Sequence, residues 1–414
     1  MKPLTIRGFS GMNNVLPEGG FSGHEDGTMT ATPKVVLNAD VLPNQRLKVR
    51  PGYRLLANLP NAHSVWGTRS ILLAASEGRL YRFYPDGSKV NLCAIGGPHE
   101  EKLFYAATDQ GTIYISSRHW MGILDAAQNT VGAWGIAIPE QPVLAEVGGS
   151  GSLKAGRYQV CYTKLADGLI GGSGMIAEID IHADNASISL LNKPADVVAW
   201  ATDPNGSTFY RAADEQPIIA AIDTVEPLPT FLCGPPAPMR FIRVAFGRMW
   251  GAADNRLIYS EPYRYDLYKA TSVFSFPDNI RLVAFVHGGI FVGFDDRTVF
   301  LQGTEPTGMS EVIVGGGVAR NILAYCNNVP DMGSRIPVWV AKDGLVAGGH
   351  EGSIVRITKD RLQFPAGMEG AAVSRTVNGQ DQFLASFKQE RPRGSGVGFG
   401  DSATCEVVRN GRVL

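Results

Sequence analysis

Short apolar runs recur along this chain, each closed by a polar turn and answered by a second apolar run. One such phrase reads Ala74-Ala75-Ser76-Glu77-Gly78-Arg79-Leu80-Tyr81, and it returns as Ala106-Ala107-Thr108-Asp109-Gln110-Gly111-Thr112-Ile113-Tyr114. Later copies are Ala252-Ala253-Asp254-Asn255-Arg256-Leu257-Ile258-Tyr259 and Gly293-Phe294-Asp295-Asp296-Arg297-Thr298-Val299-Phe300. A degenerate copy is Ala341-Lys342-Asp343-Gly344-Leu345-Val346. Apolar runs bent back on themselves by turn residues predict β-hairpins. A hairpin repeated as a unit predicts a β-propeller, whose four-stranded blades recur every ~40–50 residues.

The spacing fits, with one exception. Successive copies lie 32, 41 and 48 residues apart, but Ala106 to Ala252 is 146. A stretch of different texture, 139–236, fills that gap. It opens on Pro139-Glu140-Gln141-Pro142 and closes on Cys233-Gly234-Pro235-Pro236-Ala237-Pro238. Such proline-rich joints cannot join a ladder and read as boundaries. Inside, Gly156 to Thr163, Ala177 to Ile181, Ser187 to Leu190 and Ser207 to Arg211 predict short strands. Their number and spacing predict an inserted immunoglobulin- or fibronectin-like β-sandwich. The expected organisation is an N-terminal arm and first blades over 1–138, the sandwich over 139–236, and the remaining blades with a closing strand over 237–414. Strands are also expected at Lys34 to Ala39 and Val407 to Leu414, with the two chain ends sharing a blade. The glycine-rich stretch Arg391 to Gly400 is expected to be mobile.

Composition narrows the function classes. The 414 residues carry 49 Gly and 25 Pro spread along the sequence, which suits many strands joined by tight turns. The formal net charge of −1 argues against bulk attraction to nucleic acid or an anionic membrane. No apolar stretch approaches the ~18 residues that span a bilayer, so no membrane insertion is expected. Cys93, Cys161, Cys233, Cys326 and Cys405 are scattered and odd in number, and Met1 to Ser10 is no secretory signal. Reduced thiols packed as small hydrophobes, in a chain folded in a cytosol-like compartment, are expected.

No catalytic, metal or cofactor residue is assigned. Asp295 and Asp296 resemble an acid–base pair, but the other copies carry Glu77, Asp109, Asp254 and Asp343 at the same turn position, where short acids cap the bend. His24, His63, His99, His119, His182, His287 and His350 show no ligand spacing. Gly315 to Gly317, Gly171-Gly172-Ser173-Gly174 and Gly394 to Gly400 lack a nucleotide-binding fingerprint and read as turns. Asn185-Ala186-Ser187 and Asn205-Gly206-Ser207 match the glycosylation sequon but lack a secretory context. Two features carry more interest. Arg46, Lys48 and Arg50, with Arg54 nearby, place cations on one face of a strand, either a protected solvated edge or a contact for an acidic neighbour or DNA. Tyr259, Tyr263, Tyr265 and Tyr268 form either a binding surface or a packed inter-blade loop.

Leu257 to Pro262, Ile280 to Val283, and Phe291 through Phe300-Leu301-Gln302-Gly303-Thr304-Glu305-Pro306 resemble a run in bacteriophage virion proteins. Gly11-Met12-Asn13-Asn14, Leu37 to Val41 and Arg46 to Tyr53 are similar to the opening of the same proteins. These are the tail accessory, or packaged-DNA stabilisation, proteins of short-tailed phages. The resemblance implies a propeller with an immunoglobulin-like insert, and six copies in a ring below the portal and adaptor. Such a ring closes the channel that holds packaged DNA and seats a tail tip or needle. The expectation is a non-enzymatic structural protein of the virion tail or neck, assembled in the bacterial host cytoplasm. It would need no cofactor and make at most non-specific contact with packaged DNA. The alternative is a receptor- or glycan-binding propeller at the tail tip or baseplate, for which exposed Trp66, Trp120, Trp134, Trp200, Trp250 or Trp339 would speak.

Overall fold

The computed structural model describes residues 6–9, 11–15, 20–26, 28–33, 36, 39–41, 44–49, 55–109, 111–213, 216–359, 361–364, 368–377, 380–388 and 403–409. They form strands joined by turns, and the chain is all-β, of the propeller class. Two compact units are present: Leu56–Ser275, and Met1–Leu55 with Phe276–Leu414.

The unit Leu56–Ser275 holds three blades, each a meander whose strands pair antiparallel with the next. The first is His63–Gly67, Leu72–Ser76, Arg79–Phe83 and Lys89–Ala94. The second is Phe104–Ala107, Ile113–Ser116, Met121–Asp125 and Thr130–Gly132. The third is Arg240–Ala245, Arg248–Ala253, Arg256–Tyr259 and Val273–Ser275. Leu73, Ala75 and Leu80 of the first blade and Ile113, Ile115 and Leu124 of the second fill one core. At about 1.5–3 kcal/mol for each large aliphatic removed from water, that seam holds the two blades together. The repeated phrase is the hairpin between second and third strands of its blade, except in the second blade, where it joins strands one and two. In the first blade Glu77 and Gly78 both take the left-handed conformation, φ 48° and 72°. That is the type I′ geometry whose twist matches paired strands.

A two-sheet sandwich lies between the second and third blades. One sheet orders Ala145–Leu153, Ala186–Leu190 and Ile218–Ile219; the other orders Leu169–Ser173, Gly156–Ala166, Val197–Thr202 and Phe209–Ala213, with Ala177–Ile181 also on Gly156–Ala166. Alternate residues Tyr158, Val160 and Tyr162 point between the sheets with Ile188, Leu190 and Ala199. The sequence pattern predicts a half-buried strand over Gly156 to Thr163, yet Cys161 and Thr163 are buried too. The reason is the return segment: Leu228 and Phe231 cover the outer face of Cys161, Trp200 and Phe209. The strand expected at Ser207 to Arg211 runs Phe209–Ala213.

In the other unit, Leu282–Val286, Gly289–Gly293, Arg297–Gln302 and Ser310–Gly316 form a fourth blade. Val318–Cys326, Ile336–Ala341, Gly344–Gly348 and Ile354–Arg356 form a fifth, whose sheet is extended by Glu369–Val377, Gln380–Lys388 and Ala403–Arg409. The middle strands are buried on both faces, so they read as continuous apolar runs rather than alternating ones. Near the N-terminus, Ile6–Phe9, Met29–Ala31 and Phe21–Gly23 make a small sheet, and Ala39–Val41 pairs with Leu47–Val49.

Most of the strand expected at Lys34 to Ala39, and the stretch Arg391 to Gly400, lie outside the described residues. The closing strand is Ala403–Arg409, earlier than expected, and 410–414 lie outside the described residues. It pairs with Gln380–Lys388 and lies beside the N-terminal strand Ala39–Val41. A second tie joins the N-terminal and C-terminal segments: the Asn14 amide donates to the Gln363 carbonyl and its Oδ1 accepts from the Gln363 N–H, both at 2.9 Å.

Candidate functional site

Four of the six turn acids are paired with arginines. Asp295 accepts from Arg281 at 3.0 and 2.7 Å, with Arg320 at 3.9 Å on its other side. Arg297 spans Asp278 at 2.8 Å and Asp296 at 3.1 Å, and its guanidinium lies 4.7 Å over the Phe294 ring. In the other unit Asp254 pairs with Arg118 at 2.7 Å, tying the third blade to the second. Asp343 meets Arg356 at 3.2 Å. A carboxylate held this way is neutralised in place, so the turn position serves blade architecture.

The histidines divide by blade. His63 donates from Nε2 to the His99 carbonyl at 2.8 Å and meets Ser64 Oγ through Nδ1 at 2.8 Å. His119 Nδ1 lies 3.0 Å from Glu101, whose carboxylate also accepts from the Arg118 N–H. These contacts strap the loop between the first two blades. His24 bonds Thr30 Oγ1. His287, expected in a loop, occupies the turn between two fourth-blade strands. Its ring stacks on that of His350, with centroids 4.4 Å apart and planes at 12°. Among the described residues no group of three or more His, Cys, Asp or Glu is arranged to hold a metal ion.

Gly171 to Ser173, expected as a turn, instead belong to the strand Leu169–Ser173, just as Gly315 and Gly316 belong to Ser310–Gly316; the former strand is the joint between sandwich and blades. Thr230 Oγ1 donates to the Gly171 carbonyl at 2.6 Å, and Ser173 Oγ accepts from the Leu232 N–H at 3.0 Å. A Cβ at Gly172 would stand 1.9 Å from the Cys233 carbonyl oxygen, so no other residue fits. Arg264, paired with Asp266 through two contacts, donates to the Ile170 carbonyl at 3.0 Å. An open groove of about 650 Å³ runs along this joint, lined by Ala137 to Glu140, Ser173 to Met175 and Pro235. The sequon asparagines Asn185 and Asn205 sit in the left-handed conformation, φ 65° and 60°, as turn residues.

Tyrosine and tryptophan are spent on packing. Tyr259 lies between Trp250 and Phe274, Tyr265 meets Tyr114, and Tyr268 is buried. Of the four tyrosines only Tyr263 is open, at 80% exposure. Trp134, Trp200, Trp250 and Trp339 are buried, and half-buried Trp66 stacks on Tyr105. Burial pushes the Tyr268 hydroxyl well above its ordinary value, and the Cys161 thiol up to about 12.

One recurring feature was invisible in the sequence. The first strands of the first, third and fifth blades are each interrupted by a bulge on a left-handed residue: Ser64, Phe241 and Asn321, φ 54°, 55° and 57°. Each bulge faces the first strand of an adjacent blade. Ser64 Oγ accepts from the Leu103 N–H, the Phe241 ring meets Phe104 at 4.9 Å, and the Asn321 N–H donates to the Arg281 carbonyl. Serine, phenylalanine and asparagine share no pattern, so only backbone geometry exposes the repeat. Cations sit at these first strands: Lys102, Arg240 and Arg243 in one unit, Arg281 and Arg320 in the other, all half-buried. Of the predicted basic strand, Arg46 and Lys48 are exposed, while Arg50 and Arg54 lie outside the described residues.

No protein-family model matches the chain, and no curated protein matches it. Among solved structures it is similar to virginiamycin B lyase from Staphylococcus aureus, at 9% identity over 78% of this chain and 90% of that one, TM-score 0.32. It is also similar to BBS1N solved in complex with ARL6DN, at 10% identity over 86% and 93%, TM-score 0.34. A third is the Swd1 β-propeller domain of Myceliophteria thermophila, at 10% identity over 80% and 95%, TM-score 0.30. These likenesses concern the fold; they say nothing of activity or partners.

Proposed function

We propose that this chain is a non-enzymatic structural component of a bacteriophage tail or neck. Copies assemble into a ring that joins the portal and adaptor to distal tail proteins and helps retain packaged DNA. Two things support the reading: the resemblance in Leu257 to Pro262, Phe291 to Pro306 and Gly11 to Asn14, and the way the blades use their polar residues. The carrying observation is that Asp295, Asp296 and Asp254 are each bound to arginine. These pairs brace the fourth blade internally and tie the third blade to the second, which suits a rigid platform whose loops and edges serve as interfaces. Four of the six tryptophans are buried, while Trp66 and Trp120 are half-buried, so a glycan-stacking platform would have to use those two.

The sandwich fits an immunoglobulin-like domain. In its larger sheet Leu169–Ser173, Gly156–Ala166, Val197–Thr202 and Phe209–Ala213 take the order C′, C, F, G, with Ala177–Ile181 as a fifth strand on Gly156–Ala166, and Ala145–Leu153 against Ala186–Leu190 corresponds to B against E. Mass spectrometry of purified virions tests the whole reading: the protein should be present in multiple copies, and its absence from particles would overturn the assignment.

A further inference from the structure

Two exposed strand edges in the unit containing Phe276–Leu414 carry opposite charge: one is long and bears Glu311, the other is short and bears Lys48. Most outer strands are short: Thr130–Gly132, Val273–Ser275 and Ile354–Arg356 have three residues each. Lys89–Ala94 is longer but begins on a lysine. Short edges, and edges of one charge, resist pairing with a like edge. Ser310–Gly316 has seven residues and no Lys, Arg or Pro, and it ends the fourth blade's sheet. Its first four residues are exposed, with Val312 at 45% and Ile313 at 68%. The second edge is Leu47–Val49. Among the described residues it pairs with Ala39–Val41 alone, in a two-stranded sheet. Leu47 and Val49 are 44% and 77% exposed. The other side of the hairpin is occupied, since Ala39–Val41 lies beside Ala403–Arg409 and the Phe9 N–H donates to the Gln45 carbonyl at 2.9 Å, so Leu47–Val49 is its outward strand.

The two edges complement each other, and we propose that Leu47–Val49 of one copy adds as a strand to Ser310–Gly316 of a second copy. In the antiparallel sense Lys48 stands opposite Glu311 and Leu47 opposite Val312, while the Arg46 stem lies along Ile313. Lys48 already faces Asp40 across its own hairpin, so the contact places one ammonium between two carboxylates. Pairing of two like Ser310–Gly316 edges would cover Val312 but leave the cations of Leu47–Val49 unmatched and that edge open. Unlike edges make a head-to-tail contact, which closes a ring or runs on as a filament. This inference rests on the ring proposed above and supplies its seam.

The test uses the full chain. Sedimentation of wild type should show a concentration-dependent oligomer. Glu311→Lys places a second cation opposite Lys48, and Ile313→Asp removes the apolar contact; each should weaken association at least about tenfold. Both sites are exposed, and unchanged circular dichroism and Tm will establish that the variants fold. Leu47→Cys and Val312→Cys variants, mixed and oxidised, should give a disulfide between copies, mapped by mass spectrometry. If wild type oligomerises but neither charge nor apolar substitution matters and no cross-link forms, the seam is wrong and the ring reading survives. A wild type that stays monomeric at tens of micromolar overturns the seam. Absence from virions would remove the ring reading itself.

Discussion

Arg281 meets Asp295 side-on, with Nε and one terminal nitrogen each donating to the carboxylate, at 3.0 and 2.7 Å. The arginine starts the fourth blade and the aspartate sits in the turn of its central hairpin, so one ion pair ties the blade's first strand to its middle. The Arg281 side chain is 19% exposed and that of Asp295 55%, so the pair is partly screened by solvent. Asp295→Ala should cost about 1 kcal/mol, lowering Tm by about 2–4 °C. The difference should shrink near 1 M salt, where the Debye length is about 3 Å. Thermal melts at two ionic strengths check this; an unchanged Tm at low salt would show the pair contributes nothing.

The joint between sandwich and blade makes a sharper forecast. Gly172→Ala drives a methyl into the Cys233 carbonyl oxygen, and backbone on both sides must move. Overpacking of this kind costs about 1–3 kcal/mol or more. Gly149, with nothing near its would-be Cβ, is the control, and Gly149→Ala should be close to neutral. Limited proteolysis should cut Gly172→Ala in the 220–236 return segment before wild type. Equal proteolysis of both variants would argue that the joint is loose.

The hairpin at Glu77 carries a suboptimal residue. Its φ of 48° precedes Gly78 at 72°, a type I′ turn that favours Asn-Gly. Glu77→Asn should stabilise the first blade by about 0.5 kcal/mol. Urea unfolding checks the sign, and a loss of stability would mean Glu77 has a role beyond the bend.

These residues also show what the sequence could reveal. The repeated phrase was legible because a buried strand, a tight turn and a second buried strand leave a period in the composition. The sandwich was legible because Tyr158, Val160 and Tyr162 alternate with residues on the opposite face. Burial of Cys161 under Leu228 was not, since that contact joins segments 67 residues apart and leaves no local pattern. Nor were the bulges at Ser64, Phe241 and Asn321, because a left-handed backbone imposed by a neighbouring strand overrides residue preference. The basic strand at Arg46 and Lys48 was visible as charge. Its significance as an open edge needed the strand order.

Acid should loosen the chain at identifiable carboxylates. Asp180 is held below its ordinary value of 3.8, first by the hydrogen bond from Arg157. Asp26 is held down likewise, first by the Thr28 hydroxyl. A depressed folded-state value contributes stability above the unfolded-state value, and that contribution is lost as pH falls through the folded one. Unfolding midpoints should therefore fall below about pH 4. Asp180→Asn should flatten that fall, and parallel wild-type and variant curves would assign the acid sensitivity elsewhere.

Thiol chemistry gives the last forecast. Burial pushes Cys93 up to about 11 and Cys161 up to about 12, against an ordinary value of 9.0. Both stay protonated at pH 8 in the folded chain, where the thiolate is the nucleophile. Iodoacetamide should thus modify them at least about tenfold more slowly than after unfolding in urea. The linkage runs opposite to that of the aspartates: a raised folded value favours folding below the unfolded value, and that gain is lost as pH rises beyond it. Peptide mapping after timed alkylation resolves each site. Rapid native labelling of Cys161 would mean that Leu228 and Phe231 lift readily from the sandwich face, and the joint built on Gly172 would then be a hinge rather than a weld.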